Sequence, residues 1–493
     1  MLLHTLACCL LPFFMPVVTG HGGKKQHESA NVLIVSFDGF RWDYLKRTAT
    51  PNFDRVRSNG VIAERGLKNA FLTKTLPNHF TIATGLWEES HGIVGNTMYD
   101  PVLKEKFVVT NKSAMSDPRW FDVGAEPIWV TNQLQKNNGR SGCVMWVGCE
   151  APIKGTTPTR HIPFDGDMPN RTRIDKIMDW FTGEYPVNLG LLYFNEPDHT
   201  AHTYGPESPE VTNMIAGLDD VMGYLLDQLK EFDLLEKTNI IITSDHGFAA
   251  TSDELMVNLD DYIDPTSYRI FSSNPVAAIL PNPGMEDSIY RNLSEGAKKP
   301  GAHFQVYKKE DIPPQYHFTH NRRIMPIIVV AKENYSIAYN GSQTHYSQKG
   351  EHGYNNSLQD MHPFFLAMGP GFRPGAAVDS FNNVDIYPLM CHLLDLHPAP
   401  NNGSLDAVRS LLRDEEEEET TLFTFGTYFF VLLVIASVGG VFAVAACRQH
   451  RYLKRMQRNR VISMQGGVQY SIPPANGGAK VPLLSESEEE EFH

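Results

Sequence analysis

Groups that could bind metal ions follow three apolar segments of the chain. Continuous apolar runs rich in β-branched residues predict buried parallel strands. Open α/β sheets place their ligand sites at the carboxyl ends of such strands, so we expect the groups that follow these segments to lie close together. The segments and the groups after them are residues 31–37 with Asp38, residues 187–194 with Asp198, and residues 239–243 with Asp245 and His246.

Two more histidines extend this set of possible ligands. His202 follows Asp198 by four residues, a spacing that brings the two side chains together if one helical turn separates them. His352 lies in the sequence Gly-Glu-His-Gly. A single Asp or His at such a position is more often a turn residue or a helix cap. The combination of several at strand ends predicts a metal site, because carboxylates and imidazoles are ligands of divalent metals.

A pair of metal ions suits one reaction class in particular, phosphoryl transfer. Two close cations neutralise the phosphate and stabilise both the attacking and the leaving oxygen. A metal lowers the pKa of bound water from about 15.7 to about 7, and we expect a similar effect on a bound alcohol. A serine or threonine hydroxyl beside such a pair could therefore act as the nucleophile without a separate base.

Six short motifs, in order along the chain, resemble those of the ectonucleotide pyrophosphatase/phosphodiesterase family, which belongs to the alkaline phosphatase superfamily. The motifs are SFDGFR at 36–41, TKTLPNH at 73–79, TGL at 84–86, ESHGI at 89–93, EPD at 196–198 and TSDHG at 243–247. The resemblance spans most of residues 31–400 and is greatest to single-domain, membrane-anchored members. It implies an α/β fold with an alkaline-phosphatase-like, mostly parallel central sheet flanked by helices.

The resemblance also implies a cofactor, two Zn²⁺ ions, and a role for each site residue. Thr75 is then the nucleophile that forms a covalent phosphothreonine intermediate, and Asn96 donates a hydrogen bond to a phosphate oxygen together with the Thr75 backbone N–H. Lys74 and His79 are expected to support the site without binding metal. The expected ligands are Asp198, His202 and His352 for one ion, and Asp38, Thr75, Asp245 and His246 for the other.

The expected substrate is a small nucleotide-type phosphodiester or pyrophosphate such as NAD or a dinucleotide. Leu76 stands where several nucleotide-hydrolysing relatives have Phe, which weakens stacking against a base. A choline-lipid phosphodiesterase of the same fold and a weakly active recognition glycoprotein stay open as alternatives. A phosphomonoesterase is disfavoured because no Arg flanks Thr75, and a sulfatase because the residues after Thr75 do not fit its pattern.

Two apolar segments and the charges around them predict a single-pass type I membrane protein. Acidic residues precede the second segment and basic residues follow it, which places the tail in the cytoplasm and the bulk of the chain outside the cell. The predicted organisation is a signal peptide over 1–23, an extracellular catalytic domain over 24–404, an acidic stalk over 405–421, a transmembrane helix over 422–447 and a disordered cytoplasmic tail over 448–493.

Charge, sequons and cysteines complete the prediction. The formal net charge of -14 argues against nucleic acid as a partner. Three cysteines, Cys143, Cys149 and Cys391, fall in the extracellular part, so at least one is unpaired within the chain, and the pairing stays open. N-linked glycans are expected at seven sequons, at Asn111, Asn170, Asn292, Asn334, Asn340, Asn355 and Asn402.

Overall fold

The structure, a computed structural model, describes residues 31–272, 274–339, 348–413 and 415–465. The predicted signal peptide, the sequon at Asn340 and the chain from residue 466 onward lie outside these residues. Contacts divide the chain after Arg413 into two units, a large one that contains the predicted site and a second that contains the apolar helix. We describe each unit by itself.

The described residues form twenty strands. They are β1 (Asn31–Phe37), β2 (Gly60–Ala63), β3 (Leu67–Lys68), β4 (Thr97–Asp100), β5 (Glu105–Val108), β6 (Ser141–Val144), β7 (Arg160–Ile162), β8 (Leu189–Phe194), β9 (Thr238–Thr243), β10 (Ala249–Ala250), β11 (Met256–Asn258), β12 (Tyr268–Ser272), β13 (Val276–Pro281), β14 (Phe304–Lys308), β15 (Ile327–Ala331), β16 (Ser336–Ala338), β17 (Gly350–Glu351), β18 (Phe365–Met368), β19 (Ala377–Val378) and β20 (Phe381–Asn382).

Twelve α-helices accompany the strands, with short 3₁₀ turns between them. They are α1 (Pro51–Asn59), α2 (Thr75–Thr84), α3 (Glu88–His91), α4 (Lys112–Met115), α5 (Pro118–Phe121), α6 (Ile128–Gln135), α7 (Asn170–Thr182), α8 (Asp198–Tyr204), α9 (Pro209–Glu231), α10 (Glu286–Ala297), α11 (Ile386–Leu393) and α12 (Glu415–Gln465).

The central sheet has eight strands in the order β19-β2-β18-β9-β1-β8-β6-β7. β9, β1, β8, β6 and β7 run parallel, whereas β18 is antiparallel to both of its neighbours. Strands β8 and β9 are buried along their whole length, and β1 is buried from its second residue. Apolar side chains on both faces explain why these strands lack the alternation of a half-exposed sheet. The predicted mostly parallel sheet is confirmed.

Helices cover both faces of this sheet. On one face Phe37 of β1 packs against Phe194 of β8, with ring centroids 5.0 Å apart, and against Phe53 of α1. Ser36 points to the opposite face, since side chains alternate along a strand, and there it contacts His79 of α2. The polar site is therefore built on the α2 face of β1, and the aromatic packing on the α1 face holds the strand in place.

The predicted elements that carry the site lie within a few residues of those in the structure. β1 has the predicted bounds, β8 begins two residues later than predicted, and β9 begins one residue earlier. Helix α9 is amphipathic and buries nine residues, among them Leu218, Leu225 and Leu229. Its apolar side chains recur at helical spacing, so burial of one face follows from the sequence pattern.

A second, smaller sheet packs beside the first within the same unit. Strands β12, β13, β15 and β14 pair antiparallel in that order, and α10 contacts β14. A separate hydrophobic cluster that includes Ile279, Ile289 and Val329 lies between these elements.

The predicted start of the stalk, at residue 405, is too early. Residues 405–413 pack on the large unit: Val408 and Leu411 are fully buried, and the Arg413 N–H donates to the carbonyl of Gly371. Val408 lies between two short 3₁₀ turns, Leu405–Ala407 and Arg409–Leu411, and Leu411 ends the second of them. The compact unit therefore extends to Arg413 instead of ending at residue 404.

The second unit contains one long helix, α12. Among the described residues, Val431–Arg458 is long and apolar enough to cross a membrane. The prediction of a disordered tail from residue 448 is wrong over 448–465, which are helical. The reason is that this stretch is rich in the helix formers Arg, Lys, Gln, Leu and Met and contains neither Gly nor Pro before Gly466.

The pairing of the three cysteines is resolved in the structure. Cys143 of β6 forms a disulfide with Cys149, and Cys391 of α11 is buried without a disulfide. The bridge closes a short loop that contains Trp146. The ring of Trp146 packs edge-on against His79, with centroids 5.1 Å apart.

The buried carboxyl of Glu150, just after this disulfide, should make stability depend on pH. Burial raises its pKa from 4.5 to about 7, and one of its oxygens is buried with no hydrogen-bond partner. Between those pH values the folded chain keeps a proton that the unfolded chain releases, so stability falls as pH rises through this window.

We therefore expect Glu150→Gln to raise the melting temperature at pH 8 by about 1–3 °C relative to the parent chain, with a smaller gain at pH 5. Thermal unfolding at the two pH values measures the difference. An equal change at both pH values would contradict the assignment of a neutral carboxyl at this position.

Candidate metal and phosphate site

Three adjacent strands of the central sheet deliver the predicted acidic residues to one edge. Asp38 follows β1 directly, and Asp198 begins α8 after β8. Asp245 and His246 follow β9. Because β1 lies between β8 and β9 and all three run parallel, their carboxyl ends meet at the same edge. His202 lies one turn into α8, and His352 follows the two-residue strand β17.

The six acidic and imidazole groups form two overlapping clusters. Nε2 of His202 and Nε2 of His352 both lie 3.5 Å from Oδ1 of Asp198. Nε2 of His246 lies 3.4 Å from Oδ1 of Asp38 and 3.1 Å from Oδ2 of Asp245. Two sets of residues each offer potential ligand atoms that lie within 4.8 Å of one another inside the set. They are Asp198 with His202 and His352, and Asp38 with Asp198 and His246.

Asp198 belongs to both sets, which the family resemblance did not imply. It assigned Asp198 to one ion and Asp245 to the other. In the structure the Asp198 carboxylate offers a ligand atom within 4.8 Å of the other ligand atoms of each set. Asp245 contacts the second cluster through His246 and Asp38.

All three histidines present the same ring nitrogen to the site. The Nδ1–H of His202 donates to the Gly350 carbonyl at 2.9 Å, and that of His246 donates to the Gly247 carbonyl at 3.0 Å. The Nδ1–H of His352 donates to the Thr73 carbonyl at 2.9 Å. A carbonyl can only accept, so Nδ1 carries the proton and Nε2 keeps a lone pair. This arrangement fixes the tautomer and ring orientation, as is usual for metal-binding histidines.

Carboxylate oxygens in the site lack hydrogen-bond partners. Oδ1 of Asp38, Oδ1 of Asp198 and Oδ2 of Asp245 are buried without one. The other oxygen of Asp245 accepts from the Gly39 N–H and the Ser244 hydroxyl. Buried polar atoms are almost always paired, so three unpaired oxygens directed into one space fit a cation. The residues present therefore suit the metal ions that the family resemblance implies.

Burial and neighbouring charges shift several pKa values in the site. Burial, and then the carboxylates of Asp245 and Asp198, raise the pKa of Asp38 well above its usual range. Burial also raises the pKa of Asp198. Burial, and then the neighbouring His246, lower the pKa of His352 well below its usual value, which keeps this imidazole neutral. A neutral imidazole with a free Nε2 is the form that binds metal.

Thr75 lies at the start of α2, beside this centre. Its hydroxyl is 3.4 Å from Nε2 of His246. The Leu76 N–H donates to Oδ1 of Asn96 at 2.9 Å, and Pro77 has no N–H. The next N–H, of Asn78, bonds within the helix. The Thr75 N–H belongs to the first turn of the helix, at the positive end of the helix dipole.

The same hydrogen bond orients the side chain of Asn96. Of the two ends of the Asn96 amide, only the oxygen can accept a hydrogen bond from an N–H. The NH₂ group therefore lies on the side away from the Leu76 N–H and is available as a donor. Asn96 is half-buried and Thr75 is half-buried, which leaves both open to a ligand. The structure thus brings together every residue that the sequence analysis placed in the site.

Some contacts of the site were not anticipated from the sequence. The Tyr193 hydroxyl donates to Oδ2 of Asp38. The His79 Nδ1–H donates to the Thr75 carbonyl at 2.8 Å, and Nε2 of His79 lies 2.9 Å from the Ser36 hydroxyl. Lys74 forms an ion pair with Glu351 at 2.9 Å. Strand pairing could have indicated Tyr193, because it lies in the strand before Asp198, but the register of that strand is not readable from one sequence.

Leu76, at the position where several nucleotide-hydrolysing relatives have Phe, lies inside the protein. Its side chain is fully buried within the main hydrophobic cluster. It therefore presents no surface on which a base could stack. Phe164, in contrast, is 47% exposed and its ring lies against Tyr193, with centroids 6.1 Å apart.

Comparison with known proteins places the chain in a family. The model of the type I phosphodiesterase/nucleotide pyrophosphatase family matches residues 32–355. The human ectonucleotide pyrophosphatase/phosphodiesterase family member 5 is 43% identical over 387 residues, which are 78% of this chain and 79% of that protein. The human bis(5'-adenosyl)-triphosphatase ENPP4 is 45% identical over 406 residues, 82% of this chain and 86% of that protein.

Solved structures agree with these sequence matches. An inactive threonine-to-alanine variant of murine ectonucleotide pyrophosphatase/phosphodiesterase 5, in complex with AMP, is similar with a TM-score of 0.74 and 42% identity. The match covers 78% of this chain and 100% of that one. The human member 5 structure gives the same TM-score with 43% identity. The central sheet is thus alkaline-phosphatase-like, as expected.

The family depends on metal ions, and the clusters of Asp and His described above could hold them. Small nucleotides fit this family, as the AMP complex of the relative illustrates. The extent and identity of the matches leave no other family to consider for residues 32–355. The chain therefore belongs to the type I phosphodiesterase/nucleotide pyrophosphatase family and is a hydrolase of phosphodiester and pyrophosphate bonds.

Proposed function

We propose that the chain is a membrane-anchored ectoenzyme that uses two Zn²⁺ ions and a phosphothreonine intermediate at Thr75 to cleave nucleotide-type phosphodiester or pyrophosphate bonds. One observation carries the proposal. Three imidazoles whose Nδ1 protons are held by carbonyls lie together with three unpaired buried carboxylate oxygens, and the hydroxyl of Thr75 is 3.4 Å from one of these imidazoles, at Nε2 of His246. This donor set suits cations, and its position suits an alcohol nucleophile.

Zinc is the ion that the ligand types favour. Two histidines and one aspartate, as in the cluster of Asp198, His202 and His352, form a zinc ligand set with an open position. Asp38, Asp245, His246 and Thr75 are the proposed ligands of the second ion. Bound there, the ions would neutralise phosphate charge and lower the pKa of the Thr75 hydroxyl.

The chain's own residues then account for the rest of the reaction. Oγ1 of Thr75 attacks phosphorus, and a bond from phosphorus to this oxygen forms as the bond to the leaving oxygen breaks. Water then attacks the phosphothreonine ester, and Thr75 is released with its proton restored. The Asn96 NH₂ group and the Thr75 N–H donate to the phosphate oxygen that gains charge. The Leu76 N–H holds the Asn96 amide in the required orientation.

The substrate class is proposed from the relatives and from one exposed ring. The relatives include bis(5'-adenosyl)-triphosphatases and a member that binds AMP. Phe164 is exposed and contacts Tyr193, whose hydroxyl reaches Asp38. A base could stack on Phe164 while its phosphate reaches the metal site, since aromatic rings stack at such short range. We therefore propose a dinucleotide or NAD-like substrate.

The cellular arrangement is part of the same proposal. The apolar helix within α12 would anchor the chain, and a signal peptide over 1–23 would direct residues 24–413 outside the cell. The tail after residue 447 would lie in the cytoplasm. Among the described sequons, Asn111, Asn292 and Asn402 have exposed side chains, which suits glycan attachment.

Replacing the nucleophile tests the catalytic proposal. We expect Thr75→Ala to reduce kcat by about 10³-fold or more, with bound metal and melting temperature retained, because the hydroxyl is lost but the six acidic and imidazole groups remain. Thr75→Ser, which keeps a hydroxyl, should retain measurable activity. Full activity of the alanine variant would contradict a phosphothreonine intermediate.

A substrate panel separates the open alternatives. The purified chain is assayed with diadenosine triphosphate, NAD, ATP and lysophosphatidylcholine, each with and without chelator. We expect chelator-sensitive release of AMP from the nucleotides. Activity confined to lysophosphatidylcholine would favour a choline-lipid phosphodiesterase, and no activity on any of the four would favour a recognition glycoprotein.

Because Asp198 belongs to both clusters, its substitution should reduce metal binding more than substitution of a residue that belongs to one. We expect Asp198→Asn to remove more metal per chain than His202→Ala, because its carboxylate belongs to both clusters while His202 belongs to one. The loss of affinity should exceed the roughly 10–100-fold typical of losing an outer-shell partner. Metal content after dialysis, measured by mass spectrometry, gives the comparison. Equal losses in the two variants would argue against a shared ligand.

Glycan mapping tests the proposed orientation in the membrane. Asn292→Gln should increase the mobility of the chain made in mammalian cells by one glycan, because Asn292 is exposed and begins a sequon. Asn282→Gln, which changes an asparagine outside any sequon, should leave the mobility unchanged. A chain insensitive to glycosidase throughout would contradict an extracellular large unit.

A further inference from the structure

We propose that Tyr193 is a positioning residue, which fixes the oxygen of Asp38 that faces the metal site and thereby sets the affinity of that site for metal. The proposal rests on the metal-dependent function proposed above and assigns a role to a residue outside the expected ligand set. Tyr193 is 5% exposed and Asp38 is 2% exposed, so the contact between them is shielded from water.

Strand register brings the two side chains together. β1 and β8 are parallel, and Ser36 pairs with Tyr193. Paired residues point to the same face of a sheet, and Asp38, two residues after Ser36, points to that face as well. Tyr193 is thus the diagonal neighbour of Asp38, a separation that a long aromatic side chain can span. The Tyr193 hydroxyl reaches Oδ2 of Asp38 and donates to it.

The two oxygens of Asp38 consequently differ in their surroundings. Oδ2 is occupied by the Tyr193 hydroxyl, whereas Oδ1 is buried without a hydrogen-bond partner and lies 3.4 Å from Nε2 of His246. A carboxylate with both oxygens unoccupied could rotate or bind a cation through either oxygen. With Oδ2 occupied, Asp38 offers one oxygen in one direction, which pre-organises the ligand.

The ring of Tyr193 is itself held in place by its neighbours. Its edge meets the ring of His79 at an interplanar angle of 79°, with centroids 5.2 Å apart. His79 donates to the Thr75 carbonyl, so the same ring packs against the residue that supports the proposed nucleophile. The guanidinium of Arg173, which is 1% exposed, donates to the Tyr193 carbonyl at 3.2 Å and fixes the backbone. Phe164 covers a further side.

Tyr193→Phe in the full-length chain tests this role, because it removes the hydroxyl and keeps the ring. We expect a 10–100-fold loss of affinity for zinc, measured by competition with a chelator, and a matching loss of activity at limiting zinc. Added zinc should restore most of the activity, since Oδ1 of Asp38 is still present. Unchanged zinc affinity, or lost activity that added zinc does not restore, would overturn the proposal.

Tyr387→Phe is the matched control. Tyr387 is also fully buried, and its hydroxyl bonds with the Thr131 hydroxyl and the Ala399 N–H, away from the proposed ligands. The substitution Tyr387→Phe should lower thermal stability to a similar extent as Tyr193→Phe and leave zinc affinity unchanged. An equal loss of zinc affinity in both variants would show a general effect of losing a buried hydroxyl.

A double-mutant cycle with Asp38→Asn keeps the test decisive if the single variant is unstable. If Tyr193 acts through the Asp38 carboxylate, Tyr193→Phe should cause little further loss of zinc affinity in the Asp38→Asn background. Additive losses would contradict the proposal. Parent protein that contains no metal would instead refute the metal-dependent function itself, so the two failures are distinguishable.

Discussion

Concentrated negative charge at one edge of a buried sheet is the constraint on which the rest of this structure depends. Asp38 and Asp245 are at most 2% exposed, and each presents an oxygen that no hydrogen bond satisfies. An ionised carboxylate buried without a counter-charge costs several kcal/mol. Cations bound there would offset this cost, so the arrangement fits a metal-binding site better than a structural ion-pair network. The raised pKa of Asp38 reflects the same crowding.

A rigid frame is needed to hold like charges together, and the apolar strands provide it. β8 and β9 are fully buried, and the ring of Phe37 in β1 stacks on Phe194. Such a core leaves the loops after these strands little freedom to move apart. Glycine allows one further close approach, since a Cβ at Gly247 would lie 2.0 Å from the Asp360 carbonyl oxygen. The chain after β9 can therefore pass that carbonyl only without a side chain.

Much of this frame could be predicted from the sequence, because its signals are local. The apolar run of β1, the helical spacing in α9 and the polar residues at strand ends are all visible within short windows. The family resemblance then implied a ligand role for His352, which lies more than a hundred residues after Asp245 and follows no predicted strand. Its position depends on β17 pairing with β10, a contact that only the fold creates.

The features that escaped prediction are those set by tertiary contacts. Val408 and Leu411 lie in a short segment just before the acidic run, and nothing local shows that they pack on the large unit. The partner of Cys149 could not be deduced from three cysteines. The hydroxyl of Tyr193 reaches Asp38 through a strand register that one sequence does not reveal.

The shared carboxylate of Asp198 has a consequence for how the enzyme would acquire its ions. In the proposed two-ion arrangement, the first cation to arrive would meet three carboxylates, whereas the second would meet a centre that is already partly neutralised and that repels it. The two positions would then fill in sequence and not simultaneously. In a compartment where metal is scarce, a half-filled population would accumulate, and the supply of the more weakly held ion would govern how many molecules are competent.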